Sequence, residues 1–263
     1  MRVITEDGTE AVAVDEGSGP PILVIHGGMG DRTVWQPVTD LLRDRFRTVR
    51  LERRRYRMDL PGPVTMPQEV EHVAAIAAEL DRPVLVGHSS GAVVALEALV
   101  ANPGAYAGAV LYEPPVVIGP PLSADKLAAA RAALARDKPG KALAIFVRDV
   151  VRMPAPLAWL AGALVGRHPQ YRRRVGRQLD DNDAIDELGV RLPVYARLEL
   201  PILLLGGDRS PRHLTERLDA LERALPHTRR VPLHGQGHNA ERRAPQQVAT
   251  AIATFVNEDL ARR

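Results

Sequence analysis

Ser89 lies in the run Gly87-His88-Ser89-Ser90-Gly91, between a short apolar segment and a helix-like segment. A Gly-x-Ser-x-Gly pattern in that setting holds the serine in a tight, strained turn and exposes its hydroxyl. Side chains at the two glycine positions would clash there. The pattern therefore predicts that Ser89 is a nucleophile that attacks a carbonyl carbon.

A serine hydroxyl is a weak nucleophile without an adjacent base, and the chain contains eight histidines. His238, in a glycine-containing loop after the last predicted strand, is favoured over His234 as that base. We expect His26 to orient its own loop, and the side chain of His88 to point away from Ser89. The others are expected to be solvated: His72, His168, His213 and His227.

The base needs a carboxylate that fixes its tautomer, and two candidates follow predicted strands. Asp208 is favoured because it follows the strand 202–205, although it could instead cap the next helix. Glu113 is the alternative, because it follows the strand 107–112, although it could be a structural carboxylate at a Pro-Pro bend.

Two backbone N–H groups are candidates for stabilising the oxyanion that forms when a carbonyl is attacked. Ser90 would offer its N–H at a helix N-terminus, and Gly28 would offer the second from the loop His26-Gly27-Gly28. The simpler alternative for that loop is a flexible glycine turn.

Apolar runs and helical periodicity alternate along most of the chain, which predicts an α/β fold. Its sheet should be mostly parallel, with helices on both faces, and ligands should bind at the carboxyl ends of its strands. The predicted strands are 3–5, 11–14, 22–25, 47–52, 84–86, 107–112, 202–205 and 229–233, and the principal helices are 38–43, 67–80, 92–100, 211–225 and 245–260.

The middle of the chain, 116–198, is rich in Ala, Leu and Arg with helical periodicity, and we interpret it as helices inserted between two core strands. The core domain would then comprise residues 1–115 and 199–263. Four apolar residues of the insertion are candidates for lining a pocket, although packing inside the insertion is the simpler expectation: Met153, Trp159, Leu160 and Leu164.

These motifs together resemble the α/β-hydrolase superfamily, in which the nucleophile, acid and histidine follow in that order. The resemblance rests on His26-Gly27-Gly28, on the run around Ser89, on Leu205-Gly206-Gly207-Asp208 and on Gly235-Gln236-Gly237-His238-Asn239-Ala240. It implies about eight strands and a helical cap (lid) at 116–198. The stretch Glu52-Arg53-Arg54-Arg55-Tyr56 departs from the Asp-x-Arg-Gly segment often found in that family.

The composition of the chain limits the chemistry, cofactors and binding partners that we expect. The chain of 263 residues has no cysteine and a formal net charge of +3, so we expect no thiolate chemistry. Its arginines are mostly dispersed, and of the two dense clusters only the second, Arg172-Arg173-Arg174, follows an aromatic residue, so we expect no nucleic acid. No motif has metal-ligand spacing, and we expect no metal and no cofactor. Without an apolar stretch of membrane-spanning length or a visible signal peptide, the expected location is the cytoplasm, with no membrane partner. The sequence does not decide between a monomer and a homo-oligomer.

The predicted function is a serine hydrolase acting on a small-molecule ester, thioester or lactone through an acyl-enzyme. Two alternatives stay open. One is a cofactor-free enzyme of the same fold with other chemistry, such as perhydrolysis, haloperoxidase-type activity, C–C bond hydrolysis or a biosynthetic cyclisation. The other is a non-catalytic ligand-binding protein.

Overall fold

The computed structural model describes residues 1–123 and 125–259. Within these ranges the centre is an eight-stranded sheet with the order β1-β2-β4-β3-β5-β6-β7-β8. β1 and β2 form an antiparallel hairpin, β2 pairs antiparallel with β4, and every other pair is parallel. The strands are β1 (Arg2–Ile4), β2 (Glu10–Glu16), β3 (Pro21–Ile25), β4 (Arg47–Glu52), β5 (Val84–His88), β6 (Gly108–Tyr112), β7 (Ile202–Gly207) and β8 (Thr228–Leu233).

Helices cover both faces of the sheet and also fill the insertion between β6 and β7. They are α1 (Gln36–Thr39), α2 (Met66–Ala78), α3 (Ser90–Ala101), α4 (Lys126–Ala135), α5 (Pro139–Asp149), α6 (Ala155–Arg167), α7 (Pro169–Leu188), α8 (Leu192–Tyr195), α9 (Arg212–Ala224), α10 (Ala240–Arg243) and α11 (Pro245–Thr254). Short 3₁₀ turns at Arg54–Tyr56 and Pro103–Ala105 and a π-helical turn at Phe255–Asp259 complete the described elements.

Two apolar clusters lie on the two faces of the sheet. One joins the sheet to α2, α3 and α9, and the other joins it to α1 and α11. β5 and β6 are buried along their whole length because helices lie on both of their faces. The predicted fold class is confirmed, and all eight strands predicted from the sequence are present.

The strands and most of the predicted helices differ from the structure by at most two residues at either end, and two helices differ more. The helix predicted over 38–43 ends at Thr39, and the helix predicted over 245–260 gives way to the π-helical turn after Thr254. Leu260, the last residue of that prediction, lies outside the described residues. No helix in the described ranges has both the length and the apolar character that a membrane crossing requires.

Helices α4, α5 and α7 of the insertion share an apolar cluster of their own, which includes Leu143, Phe146 and Leu179. Helix α6 packs on α5 through its small residues, and Ala158 is fully buried. Its large apolar side chains therefore point outward. Trp159, Leu160 and Leu164 of this helix are 42%, 56% and 50% exposed, and Met153, just before the helix, is 36% exposed. The expectation that these four residues pack inside the insertion is therefore wrong. The division into a core and a cap at 116–198 stays a prediction.

Candidate active site

Ser89 occupies the turn between β5 and α3, at the carboxyl edge of the sheet. Its backbone has φ +53° and ψ −127°, a conformation that side chains rarely adopt and that persists only where the surroundings enforce it. Its N–H donates to the carbonyl oxygen of Tyr112 on the neighbouring strand, at 2.8 Å. A Cβ at Gly91 would collide with the backbone oxygens of Ile25 and His26, and one at Gly87 would lie 2.5 Å from the Cα of Ala92. The turn therefore has the tight geometry that the glycine pattern predicts.

His238 also lies at this edge, in the loop that follows β8. Its Nδ1 is 2.6 Å from Oε2 of Glu113, which follows β6 and is 1% exposed. The second carboxylate oxygen of Glu113 accepts a hydrogen bond of 2.7 Å from the N–H of Gly207. Glu113 itself has φ +46°, so a second strained residue lies beside Ser89 and His238.

Two side chains donate hydrogen bonds to the backbone of the loop that carries His238. His88 Nε2 donates to the carbonyl oxygen of His238 at 2.9 Å, and the Tyr112 hydroxyl donates to the carbonyl oxygen of Gly237. Burial, with the nearby charge of His238, holds the pKa of His88 well below its usual value, so His88 is neutral. His88 thus supports the loop.

Asp208 lies elsewhere, although the sequence favours it as the partner of His238. It accepts hydrogen bonds from the N–H of Gly235 at 2.9 and 3.0 Å, and its Oδ2 is 3.5 Å from Nδ1 of His234. The Gly235 N–H lowers the pKa of Asp208. Helix α9 receives no side-chain cap, so the capping alternative for Asp208 is wrong. Among the described contacts, the carboxylate on His238 belongs to Glu113.

Ser89, His238, Gly28 and Ser90 line one cavity of about 190 Å³. Ser90 begins helix α3, where N–H groups are free of intrahelical partners. A Cβ at Gly28 would collide with the amide of Gln178 from α7 and would lie 3.0 Å from the Tyr56 hydroxyl. Only glycine fits at Gly28 without moving these neighbours.

His26 begins the loop that carries Gly28, and its two ring nitrogens are both engaged. Nδ1 donates to the carbonyl oxygen of Gly27 at 2.8 Å, and Nε2 accepts from the N–H of Arg53 at 3.3 Å. Burial, with the charge of Arg53, lowers the pKa of His26 to about 3. His26 is therefore neutral and fixes the loop.

A model of the alpha/beta hydrolase family matches residues 22–251. The chain belongs to this family. Membership supports the prediction of an enzyme, and it confirms the resemblance found in the sequence motifs.

Similar proteins include enzymes named as esterases. The chain is 39% identical over 101 residues to a pimeloyl-[acyl-carrier protein] methyl ester esterase of Methylococcus capsulatus; the match covers 36% of this chain and only 37% of that esterase. An alpha/beta hydrolase from Sphaerobacter thermophilus superposes with a TM-score of 0.85 at 25% identity, covering 98% of this chain and 100% of that one. A thermophilic esterase from Thermogutta terrifontis, solved with malate bound, gives 0.77 at 21% identity and 98% coverage of both chains.

In this alpha/beta hydrolase, the arginines that follow β4 are buried, and Arg53 contacts Ser90, the residue after Ser89. The sequence pattern did not reveal this contact. Arg53 donates from Nη1 to Oγ of Ser90 and from Nη2 to Oδ1 of Asp181, both at 2.8 Å. Its Nη2 is also 3.2 Å from Oε1 of Glu69. Although burial alone would lower the pKa of Arg53, the charges of Asp181 and Glu69 raise it overall. The ion pair connects α7 to the residue after Ser89.

Two histidines of this hydrolase that were expected in solvent are buried instead. His72 has no exposed surface and its Nε2 lies 2.9 Å from Oγ1 of Thr9, while Nε2 of His213 donates to the carbonyl oxygen of Val151 at 2.9 Å. Burial lowers the pKa of both, to about 4 for His72. Among the described residues, no group of three histidine or acidic side chains lies close enough to hold a metal ion.

Proposed function

We propose that this chain is a serine esterase in which Ser89, His238 and Glu113 form the catalytic triad. The observation that carries the proposal is the 2.6 Å contact between His238 Nδ1 and the buried carboxylate of Glu113, beside the cavity that both His238 and Ser89 line. This contact leaves Nε2 of His238 for the serine hydroxyl. The same three residue types in this arrangement activate serine on unrelated folds.

In the proposed reaction, Nε2 of His238 takes the proton of the Ser89 hydroxyl while Oγ bonds to the ester carbonyl carbon. The carbonyl oxygen becomes an oxyanion that accepts hydrogen bonds from the N–H groups of Gly28 and Ser90. The oxyanion then collapses, the C–O bond to the alcohol breaks, and the alcohol leaves with the proton from His238. A water molecule, deprotonated by His238, releases the acyl group from Ser89 in the same way.

Glu113 is the proposed acid, and Asp208 is not. A buried carboxylate keeps the proton on Nδ1 of His238 and stabilises the imidazolium that forms during the reaction. Glu113 is itself fixed by the Gly207 N–H, so the histidine ring keeps one orientation. Asp208 is 44% exposed and bonds to Gly235, so it offers His238 neither contact nor low-dielectric surroundings.

An ester is the proposed substrate because one curated relative, which matches part of the chain, is named a methyl ester esterase. Residues of the predicted cap, such as Phe146 and Val150, line the cavity and would shape its acyl site. Perhydrolysis, C–C bond hydrolysis or cyclisation would use the same groups, so peracid formation is assayed beside ester hydrolysis.

Ser89→Ala tests the proposal. The variant should lose roughly 10⁴- to 10⁶-fold in kcat on short-chain nitrophenyl esters, because the remaining groups cannot form an acyl-enzyme. A fluorophosphonate should label the wild type at Ser89 and leave Ser89→Ala unlabelled. Ser18→Ala, at an exposed turn, is the control. Wild-type rates in Ser89→Ala would overturn the proposal, and a wild type that takes no label would indicate a non-catalytic binding protein.

A further inference from the structure

The cavity beside Ser89 carries an unbalanced positive charge. Arg217 of α9 and Arg152, after α5, both line it, and none of its described lining residues is an aspartate or glutamate. Arg152 lies at the exposed side in a positive-φ turn, whereas Arg217 is only 7% exposed. The two arginines make the electrostatic potential in the cavity positive, so the cavity favours an anionic ligand.

Among the described residues, no carboxylate forms an ion pair with Arg217. Its Nη1 donates to the carbonyl oxygen of His213 at 2.6 Å, one turn earlier in α9. Its Nε is buried without a hydrogen-bond partner. Burial, together with the like charge of Arg152, lowers the pKa of Arg217. A guanidinium taken out of water without a counter-charge is costly, so its presence here needs an explanation.

The other buried arginines of the described residues do have counter-charges. Of the five, Arg217 is the one without a carboxylate oxygen in ion-pair contact. The others are paired as follows: Arg50 with Glu16 at 3.0 Å, Arg53 with Asp181 at 2.8 Å, Arg54 with Asp7 at 2.6 Å and Arg55 with Asp181 at 3.3 Å. The fold therefore neutralises arginines that it buries for structural reasons, and Arg217 differs.

Two carboxylates, of Asp186 and Glu216, interact electrostatically with Arg217, and both form contacts with other residues. Asp186 accepts a hydrogen bond of 3.0 Å from the N–H of Ser123 and one of 3.2 Å from the amide of Asn182. Glu216 pairs with Arg212 at 3.0 Å on the surface. Neither of them lines the cavity, so the charge that Arg217 brings to it stays free for a ligand.

We propose that Arg217 binds a carboxylate of the substrate, so that the ester cleaved at Ser89 is a half-ester of a short dicarboxylic acid. The inference rests on the proposed function and adds the substrate class. An arginine offers a carboxylate charge-assisted hydrogen bonds in a fixed planar geometry. The cavity, at about 190 Å³, is smaller than a drug-sized pocket, which suits a short chain between the two carbonyl groups.

Two esters of matched size test the inference kinetically. Monomethyl glutarate carries the carboxylate, and methyl 5-amino-5-oxopentanoate replaces it with a neutral amide. The wild type should prefer the carboxylate by about tenfold or more in kcat/KM, the value of one charge-assisted hydrogen bond. Arg217→Gln should bring that ratio close to one, and Arg217→Lys should keep part of it. Arg223→Gln, an exposed arginine of the same helix, is the control and should keep the ratio.

A binding measurement tests the inference without catalysis. Calorimetry on Ser89→Ala should show monomethyl glutarate binding more tightly than the amide by a similar factor, and Ser89→Ala/Arg217→Gln should lose the difference. Equal binding of the two esters, or an unchanged preference in Arg217→Gln, overturns the inference while ester hydrolysis stands. Absent hydrolysis and absent fluorophosphonate labelling would overturn the proposed function, and the calorimetry would still decide on Arg217. If variants at this position do not fold, the comparison of the two esters on Ser89→Ala alone decides.

Discussion

Two histidine–carboxylate pairs lie at the carboxyl edge of the sheet, and they differ mainly in burial. In one, His238 Nδ1 is 2.6 Å from Glu113, and the side chains are 27% and 1% exposed. In the other, His234 Nδ1 is 3.5 Å from Asp208, and the side chains are 81% and 44% exposed. The two histidines are four residues apart in the same loop, and the two carboxylates follow neighbouring strands.

The difference shows why the His238–Glu113 pair suits the proposed catalytic role and the His234–Asp208 pair does not. Water screens the exposed pair, and ion pairs at such surface positions contribute little to stability. The buried pair is fixed at both ends, by the Gly207 N–H on Glu113 and by the contacts of His88 and Tyr112 with the loop. The proposed general-base role of His238 requires such a fixed orientation and weak screening.

Of the substitutions at the two pairs, Glu113→Gln should have the largest effect on activity. The glutamine amide cannot hold the proton on Nδ1 of His238 as a carboxylate does, and it cannot stabilise the imidazolium. We expect kcat on a short ester to fall by roughly 10³- to 10⁴-fold with little change in KM. Circular dichroism of the variant serves as the folding control. A fall of less than tenfold would remove Glu113 from the proposed triad.

Glu241 differs from both paired carboxylates, because it is buried, at 1% exposed, and its Oε2 has no hydrogen-bond partner among the described residues. Burial raises its pKa to about 7 from 4.5. Between about pH 4.5 and pH 7 the folded state holds a proton that the unfolded state has released, so the free energy of unfolding falls as the pH rises through this window.

Glu241→Gln, which has no charge to bury, should escape that fall. Above pH 7 it should exceed the wild type by up to about 3 kcal/mol in unfolding free energy, and at pH 4.5 the two should be close. Urea unfolding at pH 5 and pH 8 measures the difference, with Glu6→Gln at an exposed position as the control. A gain that is the same at both pH values would contradict this account of Glu241.

Asp208→Asn should produce the smallest effect. The pKa of Asp208 in the folded state is lower than its ordinary value of 3.8. Ionised Asp208 therefore stabilises the fold at pH values above 3.8, and this contribution is lost as the pH falls through the lowered pKa. At pH 7 the variant should show a slightly lower Tm and a kcat/KM within about twofold of the wild type, as is usual for surface positions. Inactivation comparable to that of Glu113→Gln would reverse the assignment of the two carboxylates.

Much of the fold could be predicted because the signals are local. Short apolar runs such as 22–25 and 84–86 mark buried parallel strands, and helical spacing marks the helices between them. Helix ends were less certain, since α1 stops at Thr39 although its sequence allows a longer helix. The outward face of α6 could not be predicted, because apolar spacing does not show which side of a helix has a partner.

The sequence by itself determined the strained turn at Ser89, because such a turn depends on the glycines next to it in the chain. It also limited the base to two histidines and the acid to Glu113 or Asp208. Only the tertiary structure decided which acid meets His238, that Asp181 neutralises Arg53 across 128 positions, and that Arg217 has no such partner. Charges act through space and gain strength with burial, and neither distance nor burial is written in the order of residues.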